Sequence, residues 1–331
     1  MKKFHLFKTL LLLIFFSPLF TNAQQVSAVD KICITVKDLN TAVKFYTTVL
    51  PFTVTGYDDA YGENYEKLMG KFGIHYKTAH LQLGNEKIDL IDYLTSGGRS
   101  IPETQQSNDL IFQHIAIVVS DMDKAVEQLI KNDVEFVSTN PQTIPASNAA
   151  AAGIRAFYFH DMDNHNLELI YFPKGKGNPV WQQISKNIFL GIDHSAIGIS
   201  NTQNSLLFWQ NILKLEVKGV SHNVGTEQAH LNNVQNAEVH ITGLHAAKGP
   251  GVEFLEYIKP GKGKTYPADT QCDDLWNWIT KVKCTNADAL YQQLKLNNTN
   301  IISDGVVMIN GIKNFIARDP DGHAVWFSEE N

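Results

Sequence analysis

The arrangement of apolar and polar positions repeats four times along the chain. Each repeat begins with a short β-rich run, continues through a turn with polar residues, and enters an amphipathic helix. The β-rich runs begin at Lys31, His114, His194 and Ile279, so their starts are 83, 80 and 85 residues apart. Each helix follows Asp, Asn or Ser, whose side chains can bond the free N–H groups of a first helical turn. This regularity predicts four copies of one structural module.

Further β-like runs follow each helix, and each copy closes with a strand. The closing strands are predicted at 87–93, 166–172, 251–258 and 323–328. The module is therefore β-α-β-β-β, and the predicted fold class is α+β. A single module would expose a curved sheet face, so the four tandem modules should pair into two cupped mixed sheets with helices outside.

The first 23 residues have the pattern of a signal peptide. Basic residues at Lys2, Lys3 and Lys8 precede the apolar run 10–16, and Thr21-Asn22-Ala23 places small residues at a cleavage site. The apolar run is shorter than the roughly 20 residues that a membrane span needs. The sequence therefore predicts cleavage after Ala23, export to the periplasm or the medium, and no membrane attachment afterwards.

Composition narrows the class of partner and the division of the chain. The formal net charge is −6 and the isoelectric point is near 6.0, so no basic face for nucleic acid is expected. A Gly/Lys-rich linker at 173–178 separates residues 24–175, with modules one and two, from residues 176–331, with modules three and four. A small-molecule substrate and a monomeric chain are compatible with these features. The three cysteines, at 33, 272 and 284, fit no zinc or redox motif. Cys33 and Cys284 each lie in an apolar strand-like run and are expected as buried thiols.

The repeat resembles a known superfamily. The stretches 108–123, 190–194 and 249–257 and the turn Asp319-Pro-Asp-Gly-His323 resemble the vicinal oxygen chelate superfamily. That group includes glyoxalase I, type I extradiol dioxygenases, methylmalonyl-CoA epimerase and bleomycin- or fosfomycin-resistance proteins. The resemblance implies a glyoxalase-like fold over nearly all of the chain after residue 23, but one such scaffold serves many reactions.

The resemblance also implies metal ligands at two positions of a module. These are a residue at the start of the first strand and a carboxylate on the last strand. Module two offers His114 and Glu168, and module three offers His194 and Glu253, at separations of 54 and 59 residues. Modules one and four depart from this pattern. At the same two positions, module one has Lys31 and Asp89, and module four has Ile279 (or Asn277) and Trp326.

Which modules pair decides whether these residues form one site. Some relatives pair module one with two and three with four, which would leave one His/Glu pair in each cup. Four-module glyoxalases instead have a crossed arrangement, in which module two pairs with module three and module one with module four. The crossed pairing is favoured, since it gathers His114, Glu168, His194 and Glu253 in one cup and leaves the altered positions in the other.

Two imidazoles and two carboxylates suit a divalent metal ion. Zn²⁺, Ni²⁺, Co²⁺, Mn²⁺ and Fe²⁺ all accept such ligands, and the sequence does not choose among them. Two His with one carboxylate would instead form the triad of Fe²⁺ oxygenases. Further along module three, between His194 and Glu253, Glu227 and Gln228 either border the cup or are ordinary surface residues.

Three functions fit this pattern. The leading hypothesis is a metal-dependent lyase or isomerase of the glyoxalase type, acting on a small substrate with vicinal oxygens, with Glu168 or Glu253 carrying the proton. The second is an Fe²⁺ ring-cleaving dioxygenase. The third is a protein that binds or sequesters a small molecule without turnover.

Overall fold

The computed structural model describes residues 25–95 and 97–330. The predicted signal peptide, 1–23, lies outside the described residues. Among the described helices, none is both long enough and apolar enough to cross a membrane.

Four successive groups of elements correspond to the four predicted modules. Module one contains β1 (Val26–Thr35), α1 (Leu39–Thr48), β2 (Thr53–Tyr61), α2 (Glu63–Met69), β3 (His75–Leu83) and β4 (Glu86–Tyr93). Module two contains β5 (Phe112–Val119), α3 (Met122–Lys131), β6 (Gln142–Thr143), β7 (Arg155–His160) and β8 (Asn166–Tyr171). After a 3₁₀ turn (Pro179–Gln182), module three contains β9 (Phe189–Ile199), α4 (Thr202–Leu206), a π-helical turn (Leu207–Ile212), β10 (Glu216–Val224), α5 (Thr226–Asn232), β11 (Glu238–His245) and β12 (Gly251–Lys259). Module four contains β13 (Trp278–Cys284), α6 (Ala287–Leu296), β14 (Val307–Ile309), β15 (Ile312–Arg318) and β16 (Ala324–Glu329).

The strands form two eight-stranded mixed sheets, and the modules pair in the crossed way. One sheet has the order β14-β15-β16-β13-β1-β4-β3-β2, from modules four and one. The other has the order β10-β11-β12-β9-β5-β8-β7-β6, from modules three and two. In each sheet the two first strands meet in the centre as an antiparallel pair, and each lies parallel to the closing strand of its own module. The predicted fold and the crossed pairing are confirmed.

Each main helix begins where the sequence predicts, at a capping side chain. Asp38, Asp121, Asn201 and Asn286 each accept a hydrogen bond from the backbone N–H three residues further on. The short helices α2 and α5 were not predicted, and they stand only in modules one and three, between the second and third strands. The second strand of module two is reduced to the two residues of β6.

The main core lies between the helices and the outer faces of both sheets. Alternate residues of the central strands, such as Ile115 and Ile117 on β5, join helix residues such as Ala125 and Leu129 in one buried cluster. The intervening residues of the same strands therefore face the concave side of each sheet. All three cysteines are buried free thiols, as predicted for Cys33 and Cys284.

Candidate metal centre

The register of β5 and β9 brings the two predicted histidines together. His114 lies opposite Ala196, and Ala116 lies opposite His194, across the antiparallel centre of the sheet. Glu168 on β8 is aligned with Ala116. Because each histidine faces an alanine, the concave side has room at this point for the carboxylates of the two closing strands.

Three of the four predicted ligands form one compact group. Ligand atoms of His114, Glu168 and His194 all lie within 4.8 Å of one another, and all three residues are buried. Glu168 Oε2 is 2.9 Å from His114 Nε2 and 3.5 Å from His194 Nε2. Ligand atoms held at about 2.0–2.2 Å from one ion would be separated by distances of this order.

The fourth predicted residue, Glu253, lies beside this group. Its Oε2 is 3.3 Å from His194 Nε2, and its carboxylate lines the cavity in front of the group. Burial raises the pKa of Glu253, and the nearby charge of Glu168 raises it further, against the opposing effect of His194. Burial would raise the pKa of Glu168 as well, but the imidazoles of His114 and His194 lower it to about 2. The two carboxyl groups therefore differ: Glu168 is held ionised, whereas Glu253 can take up a proton more readily.

An unpaired nitrogen supports a metal at this position. His114 Nε2 is buried and makes no hydrogen bond within the described residues, although Glu168 Oε2 lies 2.9 Å away. A buried polar atom without a partner is costly, so such an atom calls for an explanation such as an ion. The donor set of two imidazoles and one carboxylate fits a divalent transition metal.

The second ring nitrogen of each histidine, Nδ1, lies close to a polar side chain outside the metal group. His194 Nδ1 is 3.0 Å from Asp193 Oδ2, while His114 Nδ1 is 3.4 Å from the amide oxygen of Gln113. Gln113 in turn accepts a hydrogen bond from Asn166. Partners of this kind fix the orientation of ligand histidines.

The cavity before the group contains residues that the sequence analysis did not single out. The Tyr158 ring packs against His114, with ring centroids 4.8 Å apart, and Tyr257 also lines the cavity. The sequence offers no signal for these tyrosines, whereas Asp193 stands directly before a predicted ligand. Gln228 lines the cavity, but Glu227 borders only an adjacent one.

The second cup differs in chemistry. Lys31 Nζ forms an ion pair with Asp89 Oδ1 at 3.0 Å, and His80 Nδ1 lies 2.7 Å from the same oxygen. Lys281, which the sequence analysis did not identify, lies over the Trp326 ring at 3.9 Å from its centroid. Apolar side chains pack around Trp326 on this concave face. Within residues 25–95 and 97–330, no group of three potential metal ligands of the kind formed by His114, Glu168 and His194 occurs in this cup.

Comparisons with known proteins agree with this architecture. The model of the glyoxalase/bleomycin resistance protein/dioxygenase superfamily matches residues 28–169. The chain is 31% identical over 166 residues to a 2-epi-5-epi-valiolone epimerase from Actinomyces, covering 49% of this chain and 87% of that protein. It is 24% identical over 147 residues to the metallothiol transferase FosB of Staphylococcus epidermidis, covering 44% of this chain and 82% of that protein.

Similarity in structure extends over both halves of the chain. The crystal structure of glyoxalase I from Zea mays has a TM-score of 0.60 at 15% identity, covering 91% of this chain and 92% of that one. At this identity the likeness concerns the fold. The sequence matches show that the chain belongs to the glyoxalase/bleomycin resistance protein/dioxygenase superfamily.

Proposed function

We propose that the protein is a metal-dependent isomerase or lyase, acting on a small substrate that carries two adjacent oxygens. The observation that carries this proposal is the group of His114, Glu168 and His194, with the carboxyl of Glu253 beside it. Sequence relatives that are named as an epimerase and a metallothiol transferase support an enzymatic role.

The residues of the chain divide into holding and proton-carrying roles. His114, His194 and Glu168 would hold the metal, since the carboxyl of Glu168 has a pKa near 2 and stays ionised. A bound divalent ion would supply Lewis-acid polarisation of the substrate oxygens. Glu253, with its raised pKa and its place on the cavity wall, would accept a proton from the carbon beside the carbonyl. Glu253 would then return that proton to the former carbonyl carbon, while the hydroxyl proton of the substrate moves to the other oxygen, so the reaction needs no external acceptor.

Metal binding is tested first, by elemental analysis of protein purified without chelators. Wild type should contain about one metal ion per chain. The variants His114→Ala and His194→Ala should each lose it, while His80→Ala, in the second cup, should keep it. Full occupancy in either site variant, with the fold intact by circular dichroism, would remove that histidine from the ligand set.

Proton transfer is tested separately, by deuterium exchange in heavy water. Nuclear magnetic resonance should show that wild type speeds exchange of the hydrogens beside the carbonyl of hydroxyacetone. Glu253→Gln should reduce this rate at least 100-fold while keeping its metal, because general acid–base groups contribute about 10²–10⁴-fold. Glu256→Gln is the matched control, since Glu256 lies on the same strand and binds the start of α4. Equal exchange rates in wild type and Glu253→Gln would contradict the proposed role.

A second candidate function rests on the composition of the same group. Two His and one carboxylate form the facial triad of non-haem Fe²⁺ oxygenases. Oxygen consumption by iron-loaded protein with catechol would indicate ring cleavage, whereas deuterium exchange without oxygen consumption would favour the isomerase.

A further inference from the structure

The wall of the metal cavity contains a buried amide oxygen with no hydrogen-bond partner. Gln228 is 3% exposed, and its side-chain oxygen Oε1 is buried without a hydrogen bond. Buried amide groups in native proteins are normally hydrogen-bonded, so this one is available to a cavity occupant.

The backbone holds Gln228 in place. Gln228 lies in the middle of α5, whose backbone carbonyl at Leu231 accepts a hydrogen bond from the Ser138 hydroxyl. At the end of the same helix, the Asn232 amide donates to the Tyr257 hydroxyl at 3.0 Å. These bonds tie α5 to module two and to β12, so the amide is fixed at one wall of the cavity.

The chemistry of the cavity limits what can meet this amide. The inner cavity has a volume of about 120 Å³. A cavity of roughly this size holds a molecule of about six non-hydrogen atoms. Its charged lining residues are Glu168, Asp193, His194 and Glu253, with no Lys or Arg among the lining residues. An anionic group at the amide would therefore lie in a cavity lined by three carboxylates, with no Lys or Arg side chain to compensate its charge. Two wider cavities of about 390 and 610 Å³ adjoin it and can take the rest of a larger molecule.

We propose that Gln228 determines substrate specificity by binding an uncharged hydroxyl group on the carbon next to the chelated pair of oxygens. A hydroxyl both donates and accepts, so it satisfies the amide in either of its two orientations. The substrate class is thus a small, neutral polyhydroxylated carbonyl compound. The inference rests on the proposed function, because it places the adjacent oxygens of the substrate at the metal group.

Three probes that differ only at the group facing Gln228 test the proposal. Hydroxyacetone presents a methyl group there, dihydroxyacetone a hydroxyl, and dihydroxyacetone phosphate a dianion. Affinities are measured by saturation-transfer NMR and calorimetry, on metal-free and on Co²⁺-loaded protein. Wild type should prefer dihydroxyacetone to hydroxyacetone about tenfold, the size expected for one hydrogen bond to an otherwise unpaired buried group. The phosphate should bind at least tenfold more weakly than dihydroxyacetone.

Gln228→Met keeps the size of the side chain and removes its polar atoms. The preference should disappear in this variant and persist in His230→Met, an exposed position on the same helix. An undiminished preference in Gln228→Met, tighter binding of the phosphate, or no binding of any probe would overturn the proposal. Failure of the proposed metal function would give a different result. Co²⁺ would then leave the affinities of all three probes unchanged, while the ratio of the affinities for dihydroxyacetone and hydroxyacetone would still depend on Gln228.

Discussion

The two histidines of the metal group differ in the partner of their second nitrogen. His194 faces the carboxylate of Asp193, whereas His114 faces a neutral amide oxygen. A carboxylate behind a ligand histidine orients the ring and makes its other nitrogen a better electron donor. Asp193 should therefore contribute to metal affinity without touching the ion.

Replacing Asp193 by Asn should weaken metal binding by about 10–100-fold, the usual cost of losing such a partner. Competition titration against a chromophoric chelator measures the change. Gln113→Leu removes the neutral partner of His114 and should have a smaller effect. If the two variants weaken binding equally, the charge of Asp193 is not what matters.

The site residues that the sequence predicts are those at equivalent positions of repeated modules. His114 with Glu168 and His194 with Glu253 stand at equivalent module positions, so one copy supports the interpretation of the other. Gln228 has no such support, because it lies on α5, an element that interrupts the strands of module three. Its importance depends on being buried and unpaired, and a sequence does not show either property. The different pKa values of Glu168 and Glu253 likewise depend on distances to the two imidazoles.

At the scale of elements, two turns join the sheets. The turn between β7 and β8 carries Asp161 and His165, which form a buried ion pair at 2.8 Å. Asp161 also accepts from the Tyr46 hydroxyl of α1, and His165 Nε2 contacts the Leu275 carbonyl near β13. The equivalent turn between β15 and β16 makes corresponding contacts with the other sheet: Asp319 accepts a hydrogen bond from the Trp209 indole, and His323 Nε2 contacts the Gly198 carbonyl. Each turn thus ties its own sheet to the other one.

The Asp161–His165 pair should make stability depend on pH. Burial would lower the pKa of His165, but the charge of Asp161 reverses this and raises it above 6.5. Burial likewise opposes ionisation of Asp161, but His165 brings its pKa below 3.8. The stabilisation from Asp161 is present above pH 3.8 and is lost as pH falls through its lowered pKa. The stabilisation from His165 is complete below pH 6.5 and is lost as pH rises through its raised pKa.

Asp161→Asn should therefore lower the free energy of unfolding by roughly 3 kcal/mol near pH 5–6, and by less at pH 9. Urea unfolding at several pH values measures the difference from wild type. Tyr46→Phe removes a hydroxyl and leaves the ion pair, so its smaller cost should stay constant over the same range. A cost of Asp161→Asn that does not change between pH 6 and 9 would show that the pair is not charged.

The elements followed the sequence where local signals were strong. The capping residues Asp38, Asp121, Asn201 and Asn286 mark the helix starts directly. The π-helical turn at Leu207–Ile212 and the two-residue strand β6 were not foreseen. In the π-helical turn, Phe208 and Trp209 are buried in the core shared by both sheets. Such packing overrides local preference, and periodicity alone does not reveal it.

At the scale of the whole molecule, we propose export, on the strength of the N-terminal pattern of Lys2, Lys3, the apolar run and Ala23. The mature chain should begin near Gln24. Intact-mass measurement on protein from the periplasm or medium checks this, with Ala23→Leu as a variant whose cleavage should be impaired. A mature mass that includes residues 1–23 would contradict the proposal.

The crossed pairing has a consequence for the linker at 173–178. Each sheet combines one module from residues 24–175 with one from residues 176–331. A fragment of either half would expose the edges of the central strands of both sheets, and such unpaired strand edges are prone to aggregate. His114 and Glu168 would be in one fragment and His194 and Glu253 in the other. Neither fragment alone should fold cooperatively or bind metal stoichiometrically.

Co-expression of the two fragments should restore a one-to-one complex with the metal content of the intact chain, because the sheets and the main core are rebuilt from both halves. Size-exclusion chromatography with light scattering and elemental analysis measure this. The matched control is an intact chain with a protease site inserted in the exposed turn at Gly175, cut after folding. Its fragments should stay together and keep the metal, because the strand pairing holds them. If fragment 24–175 alone folded cooperatively and bound one metal ion, the site would belong to one half, and the pairing of modules two and three would not be required for function.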